Sequence, residues 1–266
     1  MTLNSPFSQN DFDVRFDWGL TGLRNLSGGE DQIDAIIIVD VLCFGTALDI
    51  AISRGAVIFP AVHADSSNRE RARLVRAELA ESDNFINGTY TLSPSSLLTI
   101  AAGERLLLPS QNGAALSLTA SNAPVFCACL RNARSVARAA QSLGRNLVVI
   151  AAGDGGKNGA FRPALEDLWG AGAIIHYLKG TLSPEAQAAA CSFESFSRAA
   201  LHLLRRCATG RELIEQGLGQ DVELAAALND SLSAPLLHDE KFEPFMVARP
   251  AAPPSYDEQE TTLTAV

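Results

Sequence analysis

The chain has 266 residues, of which 47% are hydrophobic and 19% charged, and carries a formal net charge of −9. A chain this long buries roughly 70–75% of the surface it exposes when unfolded, so it needs no disulfide framework. Its acidic balance argues against nucleic acid and anionic membrane surfaces as partners, and an anionic substrate would need cations supplied locally, by a few arginines or by a metal.

The N-terminal stretch "MTLNSPFSQNDFDVRFDW" has neither a basic start nor an apolar core segment, and no apolar run reaches a membrane span of about 18 residues; a cytoplasmic protein is expected. The five cysteines (43, 127, 129, 191 and 207) are an odd number, which favours a reducing compartment. Cys127 and Cys129 fall on one face of an expected strand, but no second pair completes a zinc site.

Short apolar runs alternate with helical stretches rich in alanine and leucine, the pattern of a layered α/β/α fold with a mostly parallel sheet. In chain order the expected strands are Ala35–Val39, Ala56–Pro60, Leu106–Leu108, Val125–Ala128, Leu147–Ala151 and Ala173–Tyr177. Between them, "SSNRERARLVRAELAES" spaces Ala72, Val75 and Leu79 as one helical face. "NARSVARAAQSLG" reads as a second helix stopped by Gly144, and residues 183–228 read as mainly helical from a cap at Ser183 followed by proline. Residues 1–248 are expected to form one α/β unit, and the proline-rich stretch from Arg249 to 266 a flexible tail.

Residues 47–58, "ALDIAISRGAVI", align without gaps on residues 164–175, "ALEDLWGAGAII". Two similar halves, about 1–122 and 123–248, would follow from an internal duplication; ordinary likeness of strand–helix–strand units is the alternative. On a helical wheel Ala164, Leu165, Leu168 and Trp169 form an apolar stripe flanked by Glu166 and Asp167. The first copy has Asp49 at the Glu166 position but apolar Ile50 at the Asp167 position, which makes Asp167 the preferred functional acid.

In open α/β sheets ligands collect beyond the carboxyl ends of the strands. Four segments take that place: Asp40 after "AIIIV", "PSQNGAALS" after "RLLL", "LRNARS" after "VFCAC", and Asp154 after "LVVIAAG". Asp40 and Asp154 offer carboxylate oxygens to Mg²⁺, which takes one or two carboxylates with water and phosphate oxygens. The Asn112–Gly113 turn places backbone N–H groups before a helix, where an anion is favoured. Arg131 offers a planar fork for phosphate, carboxylate or sulfonate. Each has a plainer role as well: aspartates after strands cap helices, Asn-Gly pairs make turns, and a single arginine commonly lies on the surface.

Six segments, "DFDVRFDWGLTGLRNL", "IIIVDVLCFGTALDIAISRGAVIFP", "LLLPSQNGAALS", "CLRNARSVA", "AAGDGGKNGAFRPALEDLWGAGAII" and "GLGQDVELAAALNDSLSAPLLHDEKF", occur in the order found in the 2-phosphosulfolactate phosphatase family. The chain resembles that family over roughly residues 11 to 245. The resemblance implies an α/β fold, dependence on Mg²⁺, and hydrolysis of 2-phospho-3-sulfolactate to 3-sulfolactate and phosphate on the route to coenzyme M. Where many members carry arginine in "DVLRA", this chain has Cys43 and Phe44, which places Cys43 among the substrate-facing residues.

The assembled expectation is a phosphomonoester hydrolase acting on a small anionic phosphorylated substrate. Asp40 and Asp167 are its catalytic acids, and Mg²⁺ is held by Asp40 with Asp154 and Glu166 or Asp167. Asn112, Gly113, Arg131, Asn132 and Cys43 would line the substrate. A non-catalytic anion-binding or regulatory protein on the same fold is the alternative, and homo-oligomerisation is left open.

Overall fold

The computed structural model describes residues 6–29, 32–62, 67–80, 90–120, 123–155 and 160–245. The first part of the chain forms β1 (Val14–Trp18), α1 (Gly19–Ser27), β2 (Ala35–Val39), α2 (Phe44–Ser53), β3 (Val57–Val62), α3 (Asn68–Leu74) and β4 (Glu78–Leu79). The middle forms β5 (Arg105–Ser110), α4 (Gly113–Thr119), β6 (Val125–Ala128), α5 (Ala133–Gln141), β7 (Leu147–Ala151) and α6 (Leu165–Tyr177). Four further helices follow, α7 (Pro184–Phe196), α8 (Ala200–Leu204), α9 (Ala208–Glu215) and α10 (Gly219–Ala225), before β8 (Pro235–His238) and β9 (Lys241–Pro244).

Among the described residues these strands make one sheet of order β1-β7-β2-β6-β8-β9-β3-β5-β4. β1, β7, β2 and β6 pair in parallel, as do β3, β5 and β4; the antiparallel β8–β9 hairpin stands between the two blocks. Strands from residues 1–122 and 123–248 therefore interleave, with β7 lying between β1 and β2. The pairing register sets Trp18 beside Ala151, Ala151 beside Val39, and Val39 beside Ala128, so four strands of the first block end in a row.

The central strands are buried on both faces, which is why they read as unbroken apolar runs. Along β2 the side chains alternate: Ala35, Ile37 and Val39 pack with α5, α6 and α7, whereas Ile36 and Ile38 pack with Leu23, Leu26 and Leu116 of α1 and α4. That alternation creates the layers of helix, sheet and helix. Ser183 caps α7 as expected, its Oγ accepting the Ala186 N–H at 3.1 Å ahead of Pro184. No helix among the described residues is long and apolar enough to cross a membrane.

Two expected elements differ. Ala173–Tyr177 is not a strand but the second half of α6, which runs unbroken through Gly170 and Gly172. These glycines permit close packing rather than ending the helix: a Cβ on Gly172 would lie 2.1 Å from the Ala189 carbonyl oxygen, and one on Gly170 2.6 Å from Val41. Burial of Ile174 and Ile175 in that helix overrides their preference for strands. His176 accordingly lies on the exposed last turn of α6, 2.8 Å from Glu194, and not in a buried strand. The helix expected over "SSNRERARLVRAELAES" stops at Leu74. Arg76 adopts a φ of +52°, and Glu78–Leu79 then joins the sheet as β4. The tail expected from Arg249 lies outside the described residues.

Candidate active site

The end of β2 delivers Asp40 into the protein with only 4% of its surface exposed. Each of its carboxylate oxygens accepts a backbone N–H at the start of a helix: Oδ1 from Phe44 of α2 at 3.2 Å and Oδ2 from Gly113 of α4 at 2.9 Å. Glycine is required at 113, because a Cβ there would lie 2.6 Å from the Phe44 ring and 2.7 Å from Asp40 Oδ2. The Asn112–Gly113 turn thus does hold an anion, and that anion is the protein's own carboxylate. Burial pushes the Asp40 pKa up to about 6, the two N–H groups oppose the rise, and the charges of Glu166 and Asp154 add to it.

Asp167, in the first turn of α6, is arranged in the same way. Its Oδ1 accepts the Val41 N–H at 2.8 Å and its Oδ2 the Gly153 N–H at 2.9 Å, so this side chain clasps the exits of β2 and β7 together. Burial, followed by the charges of Asp40 and Glu166, raises its pKa well above the usual carboxylate range. Glu166 beside it is buried, with Oε2 unpartnered. It faces Cys207, whose thiol is pushed up to about 12 by burial and then by this carboxylate.

At the rim, Asp154 forms a backbone bridge with Arg162 and an ion pair with it at 3.2 Å. Asn112 Oδ1 accepts the Gly155 N–H at 3.2 Å and ties the loop after β5 to the loop after β7. Cys43 is half-buried at the start of α2. Burial and the charges of Asp221, Asp40, Glu166 and Asp167 raise its thiol well above the ordinary range, so it stays protonated at neutral pH and is a poor nucleophile.

Two expected substrate residues are not brought to this cluster. The Arg131 guanidinium donates from Nε to Asp49 Oδ2 at 3.0 Å, from Nη1 to the Leu224 carbonyl at 3.3 Å, and pairs through Nη2 with Asp230 at 3.0 Å. Asn132 is fully buried, and its Oδ1 accepts the Cys129 N–H at 2.9 Å within the turn after β6. Sequence reasoning also passed over Asp221 on α10. It is fully buried, takes the Ser93 hydroxyl at 2.6 Å and the Ser95 N–H at 2.9 Å, and bears on Cys43 electrostatically. Its one signal was an acid inside the helical stretch "GLGQDVELAAAL", which by itself also suits a helix's first turn.

The family model for 2-phosphosulpholactate phosphatase matches residues 25–240. The chain belongs to the 2-phosphosulfolactate phosphatase family. It is 29% identical over 217 residues to a probable 2-phosphosulfolactate phosphatase of Gloeobacter violaceus, covering 77% of this chain and 88% of that protein. It is 26% identical over 209 residues to a 2-phosphosulfolactate phosphatase of Methanothermobacter thermautotrophicus, covering 78% and 88% respectively.

The donor chemistry of this family member suits a hard divalent cation. Asp40 and Asp167 are buried all-oxygen donors, the charge of Asp40 acts on Asp167, and each oxygen retains a lone pair beyond its one N–H partner. Among the described residues no three histidine, cysteine, aspartate or glutamate side chains gather as a ligand group. Two carboxylates, with water and phosphate oxygens completing the shell, is an ordinary way of holding Mg²⁺.

Proposed function

We propose that the chain is a Mg²⁺-dependent phosphomonoester hydrolase that releases phosphate from a small phosphorylated acid. The observation that supports this reading is the pair of buried carboxylates, Asp40 and Asp167, pinned by four backbone N–H groups, with the charge of Asp40 acting on Asp167. The reaction in its relatives' names, hydrolysis of 2-phosphosulfolactate, is the one to measure first.

Asp40 and Asp167 would hold the metal. Bound there, Mg²⁺ would polarise the phosphoryl group and offset the charge developing on it. The chain's own part is positional. Phe44, Gly113, Val41 and Gly153 fix both carboxylates from the backbone, so neither must reorganise as the phosphoryl group is transferred. A water molecule is the nucleophile of choice, because burial holds the Cys43 thiol in its protonated form and, among the described residues, no histidine backs a side-chain nucleophile in the cluster.

Phosphate release from racemic 2-phospho-3-sulfolactate is the test, with EDTA abolishing turnover and Mg²⁺ restoring it. A folded wild-type chain that releases no phosphate from any phosphorylated acid would sink the reading. One observation favours a different phosphorylated substrate: Arg131 is engaged with Asp49 and Asp230 and is not free to meet a sulfonate.

A further inference from the structure

We infer that the cleft between α5 and the end of α6 is a second anion-binding site, which takes a small molecule bearing two or more phosphate groups. The inference does not depend on the phosphomonoester reading.

A chain of net charge −9 has acids to spare for its cations, and one cleft departs from that balance. It encloses about 630 Å³, with Arg134, Arg138, Gln141, Ser142, Tyr177 and Lys179 among its walls. Three of these residues are cationic, and no acid is among the described residues that line it. Arg134 and Arg138 stand one turn apart on α5, so their charges repel along one face, and Lys179 brings a third from just beyond α6. Among the described residues neither Arg138 nor Lys179 forms an ion pair. An anionic ligand would offset that repulsion, and a concave space of this size suits a small molecule better than a folded partner.

The groups around the cleft are held in place. The Arg134 guanidinium lies over the Tyr177 ring, 5.0 Å from its centroid. The Tyr177 hydroxyl accepts from Asn229 Nδ2 at 2.9 Å and from Arg134 Nη2 at 3.4 Å, which leaves its own hydrogen to donate. Gln141 joins the two sides: its Oε1 accepts the Lys179 N–H at 2.8 Å, while its Nε2 donates to the Gly144 carbonyl at 3.1 Å. Two arginine forks match phosphate oxygens in pairs, and the lysine meets them as a point charge. Three cations exceed what one phosphate neutralises, so a ligand with at least two complements them. The cleft is also separate from the carboxylate pair. Asp167 lies in the first turn of α6 and Tyr177 at its end, about 15 Å further along the helix.

The test is isothermal titration calorimetry in EDTA at low salt, with inorganic pyrophosphate and inorganic phosphate as probes. Wild type is expected to bind pyrophosphate at least roughly 10-fold tighter than phosphate, with an affinity that falls as salt is added. The double variant Arg138→Gln/Lys179→Gln should weaken pyrophosphate roughly 10-fold or more, and Lys179→Glu alone should weaken it in the same direction. Both changes fall on exposed side chains, and circular dichroism checks the fold. The control pair Arg198→Gln/Arg206→Gln removes the same charge from exposed positions elsewhere and should leave the affinity within about 2-fold. No pyrophosphate binding by wild type, equal affinity for the two probes, binding that survives the double variant, or equal weakening in the control pair would each overturn the inference.

Discussion

Asp40 and Asp49 are both buried in the same strand–helix unit, β2–α2, and the protein treats them in opposite ways. Asp49, fully buried on α2, is met by the Arg131 guanidinium at 3.0 Å. Asp40 and its neighbour Asp167 are met by neutral N–H groups, and the nearest charges that act on them are negative. A carboxylate that owns its countercharge is part of the scaffold, whereas one held ready without it is available to a ligand. Arg131 completes the scaffold by pairing with Asp49 and Asp230.

The sharpest way to break this contrast is to neutralise the acids one at a time. Asp40→Asn and Asp167→Asn are expected to reduce kcat roughly 1000-fold or more while the chain stays folded, because each removes a charge from the reacting centre. Steady-state phosphate release with circular dichroism as the fold control measures this. Arg131→Met should do the converse, destabilising the fold by about 3–5 kcal/mol through the uncompensated Asp49. Its folded fraction should keep kcat/KM within about 3-fold of wild type. Urea unfolding beside the kinetics separates the two effects, and a loss of kcat without a loss of stability would return Arg131 to the active site.

The pH dependence is a gentler test. Folding raises the Asp40 pKa from 3.8 to about 6 and raises that of Asp167 as well, so the folded chain holds protons that the unfolded chain has released. Without a divalent metal, stability must therefore fall as pH rises from about 4 through about 6, by roughly 2–3 kcal/mol for Asp40 alone. Thermal melts in EDTA should show a falling Tm across that window. Millimolar Mg²⁺, which binds the ionised carboxylates, should flatten or reverse the slope, and a Tm that rises with pH in EDTA would contradict the uncompensated pair. The smallest expected effect belongs to Glu166→Gln. It removes one of the repelling charges and should raise the Tm in EDTA at pH 7 by roughly 2–4 °C, about 1 kcal/mol for a chain of this size.

Some of this was readable from residues alone. β2, β6 and β7 have the boundaries expected from sequence, because a strand buried on both faces must be apolar throughout. Asp40 and Asp167 stood out for the same reason, as acids where apolar runs end or apolar stripes would continue. The fate of Arg131 was not readable, since its partner Asp49 lies 82 positions away and their pairing depends on how α2 packs beside the turn after β6. Nor was α6. A run such as "AGAII" suits strand or helix by local preference, and it is the approach of Gly172 to the Ala189 carbonyl that decides the matter. Asp221 was hidden in the same way, its role fixed by Ser93 and Ser95 in a distant segment.

The β8–β9 hairpin has a consequence for how the chain is made. Among the described strands it alone joins the two parallel blocks through backbone hydrogen bonds, and it is the last pair in chain order. On the ribosome both blocks emerge before the segment that stitches them together, so each must wait with an open flank beside β6 or β3. The vulnerable moment for self-association therefore falls late in translation, and a chain cut short before Pro235 would carry both open flanks permanently.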